Sequence, residues 1–362
     1  MRQKNGQENS GLLSRCVGPL LDWYRLHRRA LPWREDAEPY RVWISEIMLQ
    51  QTRIEAVIPY YERFLRELPT VQELASVPEE RLLKLWEGLG YYSRARNLQK
   101  AAQILMSDYG GCLPRSAAEL RNLPGVGAYT AGAIASIAFG EPEPAVDGNV
   151  LRVVMRLTAC DDDVLSSATR DRVAEQLREV YPRGPEAGLL TEALMELGET
   201  VCVPNGEARC GLCPLREACR ACTEGTAERY PVRSAKKERR VEARTVLLLR
   251  CGSRWAVRRR EKKGLLAGLW EFPGMEGRAD EDGVKAFLRG MALEPLSAVP
   301  CGEARHVFTH VEWRMTGWLV DCAAAGGEGL VWLTAEEIAR RCALPTAFKR
   351  FWKTIETQEG TI

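Results

Sequence analysis

The chain has 362 residues, with 51 Lys and Arg against 49 Asp and Glu and 45% hydrophobic residues. That length and balance suit two globular domains and exclude disordered, collagenous and disulfide-scaffold classes. The longest uncharged run, 122–140, is apolar only over 128–139 and is broken by glycines, too short to cross a bilayer core of about 30 Å. The first eleven residues are polar and hold no apolar signal segment, so a reducing compartment is expected. A net charge of +2 hides a segregation, because 226–263 carries 14 Lys and Arg against 4 Asp and Glu. Alone, that run reads as a solvated linker and does not name nucleic acid.

Up to about Cys222 the pattern is helical, with apolar periodicity over 12–26, 40–68, 94–106, 150–157, 168–180 and 188–197. Ser116-Ala-Ala-Glu119 reads as a capping box, and Ser76-Val-Pro-Glu79 as a second one opening a helix through Leu82, Leu83, Leu85 and Trp86. After the basic stretch the period changes to that of strands, with 245–249 and 254–258 forming a hairpin and further strands at 305–308, 311–319 and 330–333. Helices are expected near 282–290 and 335–341. The fold class is thus multidomain: an all-α domain followed by an α+β domain, with a linker at 223–240 around Pro231.

Four segments carry chemistry. Leu123-Pro-Gly125-Val126-Gly127-Ala-Tyr129 places two glycines before a small-residue helix, where backbone N–H groups can approach a phosphate; a tight helix packing turn needs the same glycines. Cys202, Cys210, Cys213, Cys219 and Cys222 gather five of twelve cysteines in 21 residues. In a reducing compartment this reads as a metal site, and the spacing does not choose between tetrahedral zinc and an iron–sulfur cube. The scattered cysteines read as small buried hydrophobes. Glu46 lies at helical spacing from Val42, Trp43 and Leu49, on an apolar face. A free Glu near about 4.3 is protonated only about once in 500 at pH 7, so a general acid needs the upward shift that burial gives. The bland alternative is a buried Glu paired with Arg34 or Arg53. Asp147 or Asn149, in Val146-Asp147-Gly-Asn149-Val150, sits where a helix begins, and an N-cap explains either. Two carboxyls facing one sugar would make a glycosidic-bond machine, one acid for the leaving group and one anion for the oxocarbenium ion.

In their order along the chain, Leu31-Pro-Trp33-Arg34, the segment from Ser45-Glu46 through Leu49-Gln50-Gln51-Thr52, the 123–129 hairpin, the 146–150 segment and the cysteines resemble the helix-hairpin-helix DNA glycosylase superfamily, and within it the adenine DNA glycosylases of the MutY family, over roughly 14–350. The resemblance implies a glycosylase domain at 12–222 whose cysteine loop, about 198–222, holds a [4Fe-4S] cluster on Cys202, Cys210, Cys213 and Cys219. Seven residues separate Cys202 from Cys210 where the family has six, and Cys222 is an extra thiol. It further implies that Glu46 protonates a flipped adenine while Asp147 stabilises the sugar cation with support from Tyr129 and Asn149. Trp33, Arg34, Leu49 and Glu192 would line the base pocket, Gln51 would wedge into the vacated stack, and Gly125, Val126 and Gly127 would grip phosphate. Endonuclease III enzymes carry a lysine where Tyr129 stands, so base removal without efficient strand cleavage is implied.

The segment 264–274, with Trp270-Glu-Phe-Pro-Gly274, and the run Arg305 to His310 resemble the family's Nudix-like domain, here 241–357. Phe308, Thr309 and His310 would recognise 8-oxoguanine, with Thr309 where the family has Ser. No Arg-Glu-x-x-Glu-Glu run occurs in 276–290, so a Nudix hydrolase is disfavoured, as is a non-enzymatic DNA binder given Glu46 and Asp147. Because adenine is an undamaged base, discrimination must come from reading the opposite base, which assigns it to the second domain. The expected partner is double-stranded DNA with A opposite 8-oxoguanine or G, with no membrane. The protein is expected to be a monomer in a bacterial cytoplasm, on the nucleoid when bound.

Overall fold

The structure is a computed structural model that describes residues 2–234 and 238–360, with side chains from residue 8; within the expected linker, 235–237 lie outside the described residues. The chain divides into two compact units, 1–76 with 96–235, and 77–95 with 236–362.

The first unit is helical: α1 (Arg2–His27), α2 (Pro39–Leu49), α3 (Ile54–Glu67), α4 (Val71–Ser76), then, past 77–95, most of α6 (Ser93–Asp108), and α7 (Ala117–Leu120), α8 (Ala128–Phe139), α9 (Gly148–Thr158), α10 (Ser167–Arg178), α11 (Pro185–Thr200) and α12 (Arg220–Thr223). α2 starts where Pro39 fixes φ and the Glu38 carboxylate accepts from the N–H of Tyr40 and Arg41 at 3.1 and 3.0 Å. The single helix expected over 40–68 is two, because Gln51 takes a left-handed φ of 58° and breaks it. The capping box expected at Ser76 is absent. Ser76 ends α4 with its hydroxyl donated back to the Gln72 carbonyl at 2.9 Å, and α5 (Glu79–Leu85), in the other unit, follows Pro78 without a side-chain cap. At Ser116 the cap forms, accepting from the Glu119 N–H at 3.2 Å.

Two close approaches set the hairpin between α7 and α8. Gly125 holds φ +81°, and a Cβ there would lie 2.8 Å from that of Asn97; one on Gly132 would collide with the Pro144 carbonyl. α8 is thereby pressed against the strand-like segment that leads into α9. α9 and α11 meet over a core that includes Val150, Val154, Leu190, Leu194 and Leu197.

The second unit is a mixed sheet in the order β3-β2-β1-β6-β5, made of β1 (Arg240–Cys251), β2 (Arg254–Arg259), β3 (Trp270–Glu271), β5 (Pro295–Val307) and β6 (Val311–Cys322); β4 (Gly274–Glu276) adds to β1 and β7 (Leu330–Leu333) to β2. β1 and β6 run parallel, Arg240 opposite Val311. The strand expected at 305–308 begins ten residues earlier, at Pro295, with irregularities at 295–297 and 300–302. One face buries Trp255, Phe272, Trp313, Phe348 and Phe351 beside α14 (Ala335–Arg341) and α15 (Lys349–Gln358). The other buries Leu247, Leu249 and Trp318 beneath α13 (Glu281–Gly290). Residues 77–95 complete this unit: Lys84 Nζ donates to the Cys342 carbonyl at 3.1 Å, and the Glu87 carboxylate accepts from the Leu344 N–H at 2.7 Å. No helix among the described residues is long and apolar enough to cross a membrane.

Candidate active site

A cavity of about 200 Å³ in the first unit is lined by Trp33, Arg34, Glu46, Leu49, Tyr129, Asp147, Asn149 and Glu192. Eight of the nine residues anticipated for catalysis and base recognition therefore meet in one place. Gln51 is the ninth and lines none of it, standing exposed just past the C-terminus of α2 with its left-handed backbone.

Glu46 is buried on α2, 5% exposed, and its Oε2 has no hydrogen-bond partner. Burial pushes its carboxyl up to about 7; the facing charges of Asp147 and Glu192 add to the rise, and the Tyr129 hydroxyl and Arg34 oppose it. The ion pair that would have made it a bland core residue is not formed: the Arg34 guanidinium is engaged by Glu196 at 2.8 Å and lies 3.7 Å from Glu192. A carboxyl poised near neutrality, with an unpaired oxygen, on a residue that lines a cavity can hand over a proton.

Asp147 is the N-cap of α9, and the cap is what aims it. Its Oδ1 accepts from the N–H groups of Asn149 and Val150, both at 2.8 Å, and its Oδ2 from Asn149 Nδ2 at 2.9 Å. Burial still raises its carboxyl above the ordinary range, against those bonds. Asn149 is in turn fixed by Arg152, whose Nη2 donates to Asn149 Oδ1 at 2.8 Å and to the Gly198 carbonyl at 2.6 Å. Gly198 is required here, since a Cβ on it would lie 2.6 Å from that of Asn149. The capping residue also lines the cavity, so an N-cap role for Asp147 leaves a functional one open.

The opposite wall comes from the 28–34 loop and α11, with α1 behind it. Tyr24 donates to Glu192 Oε2 at 2.9 Å, with the Arg34 guanidinium 5.5 Å above its ring. Trp33 packs edge-on to Tyr61 with centroids 5.5 Å apart, so it serves the core and the cavity together. Burial raises Glu192 above the usual carboxylate range, while Arg34 and the Tyr24 hydroxyl work against it. Sequence reading missed Arg29, Glu196 and Glu199, which also line the cavity. The signal was present: Glu192, Glu196 and Glu199 recur at i, i+4 and i+7 in an otherwise apolar helix, a single face of α11.

At the hairpin, Val126 is buried, while Gly125 and Gly127 are exposed and a Cβ on Gly127 would meet open space. Gly127 caps α8 without a side-chain bond, which leaves first-turn N–H groups for an anion.

The clustered thiols lie near enough to influence one another. Burial pushes Cys213 up to about 12, with Cys202, Cys219 and Cys210 adding to the rise, and Cys210 is raised by burial and by Cys222, Cys219 and Cys202. Arg156 Nη1 donates to Cys202 Sγ at 3.3 Å and Cys219 Sγ donates to the Arg156 carbonyl at 3.4 Å. Among the described residues, no three or more His, Cys, Asp or Glu stand at ligand distance around one point. The donor set nevertheless fits a thiophilic centre: soft sulfurs close enough to resist ionising together, with a guanidinium to offset thiolate charge. The loop is tied to the carboxylate wall as well, because Arg152 Nε donates to the Cys202 carbonyl at 2.7 Å.

In the second unit Phe308, Thr309 and His310 form the turn between β5 and β6, closed by the Phe308 N–H donating to the Val311 carbonyl at 2.8 Å. Phe308 is half-buried between His306 and Trp313, with ring centroids 4.5 and 4.9 Å away, and Thr309 and His310 are exposed. An aromatic anchor thus presents two polar side chains at a hairpin tip.

A family model for HhH-GPD superfamily base excision DNA repair proteins matches residues 44–183, and one for the NUDIX domain matches 245–354. The chain is 36% identical to the adenine DNA glycosylase of Homo sapiens over 94% of this chain and 74% of that protein. It is 33% identical to the adenine DNA glycosylase of Buchnera aphidicola subsp. Baizongia pistaciae, over 70% and 72% respectively. Among solved structures, a thermostable thymine-DNA glycosylase aligns with a TM-score of 0.54 at 26% identity, over 60% of this chain and 98% of its own. A non-covalent endonuclease III–DNA complex gives 0.50 at 29%, over 60% and 97%.

Proposed function

The chain belongs to the adenine DNA glycosylases, and on that premise we propose that it removes adenine paired with 8-oxoguanine or guanine in duplex DNA, acting as a monomer by acid-assisted hydrolysis of the N-glycosidic bond. The observation that carries the reading is the pairing of a buried Glu46, its free Oε2 and carboxyl near 7, with Asp147 on the same cavity.

Extrusion of the adenosine from the stack, at a few kcal/mol, brings the base between Trp33 and Leu49. Arg34 can only donate and Glu192 can accept, which matches a purine edge that offers a ring-nitrogen acceptor beside an amino donor. Glu46 gives its proton to the departing base. The anion of Asp147, oriented by Asn149 and the α9 N–H groups, then faces the positive charge that develops on the sugar as the bond to the base breaks, and a water adds to the anomeric carbon and gives up its proton to complete the hydrolysis. Tyr129 supplies no amine, so no Schiff base forms and the strand stays intact. The uncapped N–H groups at Gly127 hold a backbone phosphate, Gln51 fills the vacated stack, and the Phe308 to His310 turn reads the opposite base.

Cys202, Cys210, Cys213 and Cys219 would hold a [4Fe-4S] cluster. When bound, it supplies a rigid cross-link rather than an electron to a reaction that needs none, keeping the exposed Arg209 and Arg216 in position for phosphates. Metal analysis of the anaerobically purified chain should find about four irons per chain.

Single-turnover assays on duplexes carrying A opposite 8-oxoguanine, G or C test the reading. Adenine release fastest opposite 8-oxoguanine and lost in Glu46→Gln supports it; release at the wild-type rate by Glu46→Gln rejects it.

A further inference from the structure

We propose that Glu196, which no catalytic scheme above uses, is a positioning residue that clamps the Arg34 guanidinium against the base-binding wall and holds that positive charge back from Glu46. The inference rests on the glycosylase reading.

Glu196 is 1% exposed, on the face of α11 one turn beyond Glu192. Its Oε1 accepts from Arg29 Nε at 2.6 Å, and its Oε2 from Arg29 Nη2 at 3.0 Å and Arg34 Nη2 at 2.8 Å. Arg34 is fixed a second time by Nη1 donating to the Arg29 carbonyl at 3.3 Å. The clamp therefore restrains both ends of the guanidinium fork and turns Nε toward Glu192 at 3.7 Å, outside hydrogen-bond range. A substrate base can use that donor because no protein acceptor has captured it.

The charges around the cavity explain why an anion is needed here. Five carboxyls line it against two guanidiniums. Glu46, Asp147, Glu192 and Glu199 are all raised by burial, whereas hydrogen bonds from Arg29 and Arg34 outweigh burial at Glu196 and lower it. Glu196 is thus the cavity carboxylate whose charge its arginine partners favour most, and it holds Arg34. The groups facing Glu46 are Tyr129 of α8, Asp147 at α9, Glu192 of α11 and Arg34 of the 28–34 loop, of which Arg34 alone is a cation. Released from Glu196, its fork has Glu192, 3.7 Å from Nε, as the next acceptor, and its charge is no longer offset by the Glu196 carboxylate. An uncompensated cation among the groups that face Glu46 favours the ionised acid and empties it of its proton at neutral pH.

The test is the pH dependence of single-turnover adenine release by the full chain. In Glu196→Gln the alkaline limb of the profile should move down by about one pH unit, which above the limb is about a tenfold loss of rate. DNA affinity should stay within about threefold of wild type. Glu196→Asp keeps the buried charge and hence the fold, but shortens the arm by about 1.5 Å; it should move the limb in the same direction, by less. In an Arg34→Met background, Glu196→Gln should add almost nothing, because its effect passes through Arg34. An unmoved limb in both Glu196 variants, or a loss fully additive with Arg34→Met, overturns the assignment. A wild-type chain that releases no adenine at all rejects the glycosylase reading and the assignment with it, whereas an active wild type with an unmoved limb rejects Glu196 alone.

Discussion

Removing the acid at position 46 should stabilise the protein at alkaline pH while abolishing its chemistry. The Glu46 carboxyl is raised from 4.5 to about 7 in the folded chain. Below about pH 4.5 both folded and unfolded states hold the proton, and the group contributes nothing to the pH dependence. Between about 4.5 and 7 only the unfolded chain ionises, so stability is lost as pH rises, and above 7 the full penalty is in place. A rise of two to three units corresponds to about 3 kcal/mol, and no solvent discount applies because the side chain is 5% exposed. Gln has the same shape and does not titrate. Its amide adds an unpaired donor where Oε2 stands alone, worth about 1 kcal/mol against it at every pH. The informative quantity is therefore the change in the Glu46→Gln difference between about pH 4.5 and pH 8, about 3 kcal/mol in favour of the variant. For a unit of this size that is roughly 6–12 °C in the melting midpoint. Denaturant titrations of both proteins at the two pH values measure it. A difference that is flat with pH, or that favours wild type more at pH 8, refutes the claim that burial holds this carboxyl neutral.

Three other outcomes are open to direct test. Arg152→Met leaves the Asn149 carboxamide oxygen and the Gly198 and Cys202 carbonyls without their donor. It should cost about 2–4 kcal/mol in denaturant stability and slow adenine release at least about tenfold by loosening Asp147. Borohydride added during turnover should trap no enzyme–DNA adduct, because Tyr129 stands where an amine would be needed; a stoichiometric adduct on gels contradicts this. Replacement of the exposed pair, Thr309→Ala with His310→Ala, should leave release opposite G within about threefold while reducing the preference for 8-oxoguanine at least about tenfold. Equal preference in wild type and variant removes base reading from that turn.

What the sequence disclosed, and what it hid, follows from the range of each interaction. Helices with strong periodicity or a local cap, such as α9 behind Asp147 and α14 behind Thr334, were legible because their determinants lie within four residues. The break at Gln51 was not, since nothing in Gln50-Gln51-Thr52 demands a left-handed backbone and only the docking of α2 and α3 imposes it. Strands β3 and β4, two and three residues long, are too short to carry a period. The C-terminal helix α15 went unread because Phe351 and Ile355 are its only buried residues among basic and polar neighbours. At the site, the burial of Glu46 could be read from Val42, Trp43 and Leu49. That its rival partner Arg34 is held by Glu196 could not, because the two are 162 residues apart.

The second unit closes around a helix that the ribosome makes long before the rest of it. Lys84 must find the Cys342 carbonyl across 258 residues of chain, a wait of roughly 10–50 s at ordinary translation speeds. Until then Lys84 and Glu87 lack the Cys342 carbonyl and the Leu344 N–H that tie this segment to the rest of its unit. A clone terminated after the cysteine loop would make that loss permanent, so a lower stability of such a truncation would report these two severed hydrogen bonds as well as the missing sheet.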